Sequence, residues 1–154
     1  MKKGFTLIEV IIAAVIISTI MISIIGLSAS ASNLSFFTLQ ESQAQTLLNE
    51  TVEAVKLVRD DNWSNISSLS TSTNYYPSFS GSAWTLTTTP NPIGIFTQKI
   101  VFQNVNRDSN DDIVSSGGTL DTGTRKVTAT VSWLKSNGTQ ASESIIFLIA
   151  DIRS

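Results

Sequence analysis

The chain has 154 residues, with 42% hydrophobic but only 14% charged residues against a globular norm near ~25%. Its 12 acids and 10 bases leave a formal charge of −2, so no basic field exists to hold nucleic acid. Cysteine and histidine are both absent, which excludes disulfides, thiolate and imidazole catalysis and Cys/His zinc sites. The length suits one domain and an appendage.

The apolar excess lies at the N-terminus. No Asp, Glu, Lys or Arg occurs in residues 10–40, and residues 11–27 are dominated by Ile and Val with only Ser18, Thr19 and Ser23 polar. About 20 apolar residues span a bilayer as a helix, and residues 10–29 supply them. Lys2 and Lys3 flank one end and no base follows before Lys56, which places the N-terminus on the cytoplasmic side. Glu9 stands at the edge of this run. At the membrane midplane its charge would cost ~2.5–3.5 kcal/mol, which the many Ile, Leu, Val and Phe residues between Phe5 and Leu27 outweigh. Two readings of Glu9 stay open: a headgroup-level acid that complements the helix dipole, or a functional acid with a partner.

Lys2-Lys3-Gly4 followed by Phe5-Thr6-Leu7-Ile8-Glu9-Val10 and an unbroken apolar helix resembles the N-terminal signal of type IV pilins and type II secretion pseudopilins. The resemblance covers about the first 30 residues. It implies cleavage between Gly4 and Phe5 by a prepilin peptidase, N-methylation of Phe5, and a role for Glu9 in assembly. Removal of residues 1–4 takes away Lys2 and Lys3, so 10 bases become 8 against 12 acids. Glu9 of one subunit can then pair with the Phe5 amine of a neighbour, two charges that are costly alone becoming tolerable together. An ordinary secretory signal is the competing reading, since Ala29-Ser30-Ala31 has the A-x-A form. Against it stand an apolar run longer than the usual ~7–15 residues and an acid close behind the lysines.

Beyond Ala31, residues Ala44, Leu47, Leu48, Val52 and Val55 recur at helical spacing while Glu41, Glu50, Glu53 and Lys56 take other positions. The spacing predicts an amphipathic half-helix over 32–60. A helix from Phe5 to Asp60 would span about 80 Å. Gly26 falls where many major pilins have a kinking proline, and glycine keeps the backbone donor that proline removes.

Residues 62–98 carry no charge and are dense in Ser and Thr, with Tyr75-Tyr76-Pro77 and Pro90-Asn91-Pro92 as punctuation. Residues 61–83 read as an ordered loop region, anchored by Trp63, Tyr75, Tyr76 and Phe79, that is either an exposed contact face or a connector over the sheet. Strands are expected over 85–88, 95–105, 126–134 and 144–151, with a hairpin turn at Asn137-Gly138. The run Ile145-Ile146-Phe147-Leu148-Ile149-Ala150 suits a strand covered on both faces or set at a subunit contact. Asp108, Asn110 and Asp112 have the one-three-five spacing of a calcium loop, but Ile113 and Thr119 break its later positions, and a solvated turn is expected with no metal or cofactor.

The expected fold is α+β: a long N-terminal helix, membrane-spanning in its first half, and a small antiparallel β-sheet head of pilin-like plan. Residues 1–4 would be a cytoplasmic leader, 5–31 the transmembrane and assembly helix, and 32–154 a periplasmic or extracellular head whose β region covers 84–152. The resemblance implies a non-enzymatic subunit of a type IV pilus or of a secretion or competence pseudopilus, a minor pilin or pseudopilin. Its expected partners are other pilin subunits, prepilin peptidase and the inner-membrane assembly platform. The precursor would sit in the inner membrane and the mature subunit in a cell-surface or periplasmic filament. The alternative is a secreted or single-span tethered binding module.

Overall fold

The computed structural model describes residues 6–135 and 138–152. The chain is α+β, with a long helix α1 (Leu7–Asp61) and a short α2 (Ser64–Ser67). These are followed by β1 (Asn74–Ser80), β2 (Ala83–Thr87), β3 (Phe96–Arg107), β4 (Ile113–Val114), β5 (Thr119–Leu134) and β6 (Gln140–Ala150). The chain divides into two compact units, Met1–Glu41 and Ser42–Ser154.

In the first unit α1 buries nothing. Every Ile, Leu and Val from Leu7 to Leu27 is more than half exposed. Its hydroxyls are turned back onto the helix: Ser18 Oγ donates to the Ala14 carbonyl at 2.7 Å, Thr19 Oγ1 to Val15 at 2.8 Å, Ser23 Oγ to Thr19 at 2.9 Å and Ser30 Oγ to Gly26 at 3.0 Å. α1 continues through Gly26 without a break, as a residue that retains its N–H allows.

In the second unit all strand pairs are antiparallel, in the order β2-β1-β3-β5-β6, with the short β4 on β3. Alternation decides which residues face α1. Phe96, Gln98, Ile100 and Phe102 of β3 are buried, as are Val127, Ala129, Val131 and Trp133 of β5. They meet a helical stripe of Ala44, Leu48, Thr51, Ala54, Val55 and Val58. The predicted face was thus displaced slightly, with Leu47 and Val52 at its margins. Within this apolar layer a hydrogen bond runs from Gln98 Nε2 of β3 to the Leu47 carbonyl of α1, 3.0 Å. The Thr51 hydroxyl donates to the same oxygen at 2.7 Å.

Two expectations are corrected. Residues 74–80, placed in a loop region, form β1 and pair with β2 around Gly81, whose φ is 70°. Pro77 is tolerated because β1 pairs with β3 only at Asn74 and Tyr75; from Tyr76 onward its register is with β2 alone. β6 is not covered on both faces within the chain. It is an edge strand, and Ile146 and Leu148 lie opposite Thr128 and Lys126 on the outer side, 62% and 51% exposed. The β5–β6 connection closes with the Lys135 N–H bonded to the Thr139 carbonyl at 2.9 Å and Gly138 at φ 80°. Asn137, the other half of the predicted turn, lies outside the described residues.

Candidate functional site: the N-terminal segment

Gly4 and Phe5, the predicted cleavage and methylation positions, lie outside the described residues, which begin at Thr6. The segment that follows them has a defined geometry. α1 starts at Leu7, so Thr6 is its N-cap and Glu9 its third helical residue. Glu9 Oε2 accepts the Thr6 backbone N–H at 2.9 Å and the Thr6 hydroxyl at 2.9 Å, while Thr6 Oγ1 accepts the Glu9 backbone N–H at 3.4 Å.

This is a reciprocal capping box, in which two otherwise orphaned helix donors are satisfied by one Thr and one Glu three residues apart. Glu9, expected either to complement the helix dipole or to have a partner, thus has one in Thr6, a residue that periodicity alone does not single out. The signal was there: Thr-x-x-Glu directly before an apolar run is the sequence form of this cap. The box gives Glu9 a task within one chain. It starts the helix at a fixed residue and holds the carboxylate beside the backbone position that follows Phe5. Both side-chain bonds fall on a single carboxylate oxygen. Downstream, α1 is long and apolar enough to cross a membrane, with a mean hydropathy of 2.8 in its most apolar window.

The acidic turn is organised differently from a cation loop. Asp108 Oδ1 accepts the backbone N–H groups of Asn110 and Asp112 at 2.8 and 3.0 Å, and the Asp108 N–H bonds the Asp112 carbonyl at 2.9 Å. Asp111 takes φ 68°, and Arg107 Nη1 donates to its carbonyl at 2.8 Å. The carboxylate that would open a metal loop therefore closes a backbone turn. Arg107 Nε also meets Asp121 Oδ2 at 2.7 Å. That bond, with further ones from Thr124 and the Gly123 N–H, holds the Asp121 carboxyl below its ordinary pKa. Gly118, at φ 72°, is required here, since a Cβ would fall 2.4 Å from the Arg107 carbonyl oxygen.

Comparison with known proteins gives one family match: residues 1–29 match the family described as the prokaryotic N-terminal methylation motif. No curated protein and no solved structure matches the chain. The matched segment holds Lys2-Lys3-Gly4, the capped helix start and the apolar run. A membrane-anchored precursor is consistent with both the match and the helix. The first 29 residues are a prepilin-type signal of the kind carried by type IV pilins and pseudopilins, one that in general goes with prepilin peptidase processing and assembly with other pilins.

Proposed function

We propose that this chain is a structural subunit of a type IV pilus or of a type II secretion or competence pseudopilus, and within that class a minor pilin or pseudopilin. The observation that carries the reading is the coincidence of the methylation-motif match with a helix whose Ile, Leu and Val side chains are all exposed from Leu7 to Leu27. Such a surface needs lipid before assembly and neighbouring helices after it. Heterologous contacts between identical helices give filaments when the rotation does not close.

In this reading the peptidase cuts after Gly4, Phe5 acquires a methyl group, and the assembly platform moves the subunit from the inner membrane into a cell-surface or periplasmic filament. Glu9 of one subunit pairs with the Phe5 ammonium of another. The capping box supports this role by fixing Glu9 at the start of the helix, where a neighbour's new N-terminus arrives. The covalent steps belong to the processing machinery; the chain's own part is non-covalent and non-enzymatic.

Intact mass of the protein from its host tests the reading. The mature form lacks residues 1–4 and carries one added methyl on Phe5; a form beginning at Ser32 would establish the secretory-signal alternative instead. Glu9→Leu separates the two roles of the acid. The variant is cleaved normally, yet its incorporation into a sheared filament or pseudopilus fraction falls, because an unpaired buried ammonium remains in the bundle. Wild-type incorporation would remove Glu9 from the assembly mechanism.

A further inference from the structure

A cavity of about 330 Å³ opens in the second unit where the end of α1, α2 and β2 meet. Its walls include Asp61 from the last turn of α1, Asn65 from α2, Ser68 just beyond it, and Trp84 and Thr85 from β2. Among the described residues Asp61 is the one charged residue in the lining. The volume sits at the low end of small-ligand pockets. The walls divide into one broad aromatic surface and a group of short oxygen- and amide-bearing side chains.

These parts are held in place before any ligand arrives. Trp84 stands directly across the hairpin from Phe79, with ring centroids 5.2 Å apart, and also packs on the buried cluster of Val58, Ile66 and Phe102. Asn65 Nδ2 donates to Asp61 Oδ2 at 2.9 Å, which orients the amide against the carboxylate. Ser68 Oγ donates to the Ser64 carbonyl at 2.6 Å, so this hydroxyl has committed its proton and offers oxygen as an acceptor. Arg125 Nη2 donates to the Ser67 carbonyl at 2.7 Å and ties the end of α2 to the sheet.

We infer that this cavity is a binding site for a neutral saccharide. A sugar ring has an apolar C–H face to lay on Trp84 and a perimeter of hydroxyl donors for Asp61, Asn65 and Ser68. Anions are disfavoured by Asp61 and by the lack of a lining cation. A purely apolar ligand would desolvate the carboxylate and amide without replacing their hydrogen bonds. The inference is independent of filament assembly, and it gives a task to the charge-free, hydroxyl-rich stretch of 62–98.

The test uses the full chain in micelles of a non-glycosidic detergent, with nitrogen-edited NMR spectra recorded during titration. The probes are the methyl glycosides of glucose, galactose, N-acetylglucosamine and N-acetylgalactosamine, with choline as the organic-cation control. At least one glycoside shifts the backbone amides of Asn65 and Thr85 saturably. Trp84→Leu weakens that binding at least about tenfold, Trp84→Phe restores most of it, and the isosteric Asp61→Asn weakens it while leaving distant amides unmoved. The inference is overturned if none of the four glycosides binds, if Trp84→Leu and Asp61→Asn bind as the wild type does, or if choline binds in preference to every sugar.

Discussion

The two stretches of α1 differ in what their apolar side chains have to meet. From Ser42 onward the buried positions are small or medium, Ala44, Leu48, Thr51, Ala54, Val55 and Val58, spaced along one stripe with Glu50, Glu53 and Lys56 off it. From Leu7 to Leu27 the side chains are large, branched and distributed all around the helix, and none is buried. A stripe is the mark of a helix with one neighbour already supplied by its own chain. Apolarity on every side belongs to a helix whose surroundings come from outside. The same secondary structure thus carries two kinds of information, one specifying a fold and the other an environment.

The sharpest way to break this contrast is to remove volume from each stretch. Phe102→Ala, beneath the buried stripe, lowers the stability of the second unit by about 3–5 kcal/mol. Ile16→Ala, fully within the exposed stretch, leaves the unfolding midpoint unchanged. Near-ultraviolet circular dichroism of the full chain during denaturant titration reads both. A midpoint shift for Ile16→Ala comparable to that of Phe102→Ala would mean that the first stretch is packed on its own chain after all.

A smaller effect is expected at the helix start. Thr6→Val removes the hydroxyl from the capping box and costs about 0.5–2 kcal/mol of local helix stability. Amide exchange accelerates over residues 7–10 while exchange in β3 and β5 is unaltered; Thr6→Ser keeps both at wild-type rates.

The smallest effect belongs to the Arg107–Asp121 pair. Because the folded-state pKa of Asp121 is depressed, its contribution is complete above the ordinary value of 3.8 and is lost as pH falls through that value toward the folded one. The difference in stability between wild type and Asp121→Asn, up to about 1 kcal/mol at neutral pH, therefore closes below about pH 4. A gap that does not narrow at all as the pH falls below 4 would place the loss in packing rather than in charge.

What could be read from the sequence follows the same division. The apolar span and the alternation that places Val127, Ala129, Val131 and Trp133 on one face of β5 and Thr128, Thr130 and Ser132 on the other both depend on local periodicity. They were legible for that reason. β1 was not, because its pattern of Tyr75, Pro77 and Phe79 reads as a loop unless the hairpin partner is known. The Gly81-Ser82 pair between them was the available sign of a two-residue turn. The openness of β6 was also beyond the sequence. An apolar run does not reveal whether a strand has neighbours on one side or two, since that depends on sheet order. The N-terminal site was legible in its residues, and its capping geometry less so, although Thr6 and Glu9 are only three residues apart.

The back-bonded hydroxyls of α1 determine what the helix can exchange with its surroundings. Ser18, Thr19, Ser23 and Ser30 each bond a carbonyl one turn earlier, and so do Ser35 at 3.0 Å to Ala31 and Thr38 at 3.0 Å to Leu34. A surface built this way offers its medium little but methyl and methylene groups, because its polar protons are already committed. Transfer between two apolar solvents then makes and breaks no hydrogen bonds, and the free energies of the helix in lipid and among other helices differ mainly by close packing. For this stretch the balance between lipid and a bundle of like helices would therefore be set by packing and not by the exchange of hydrogen bonds.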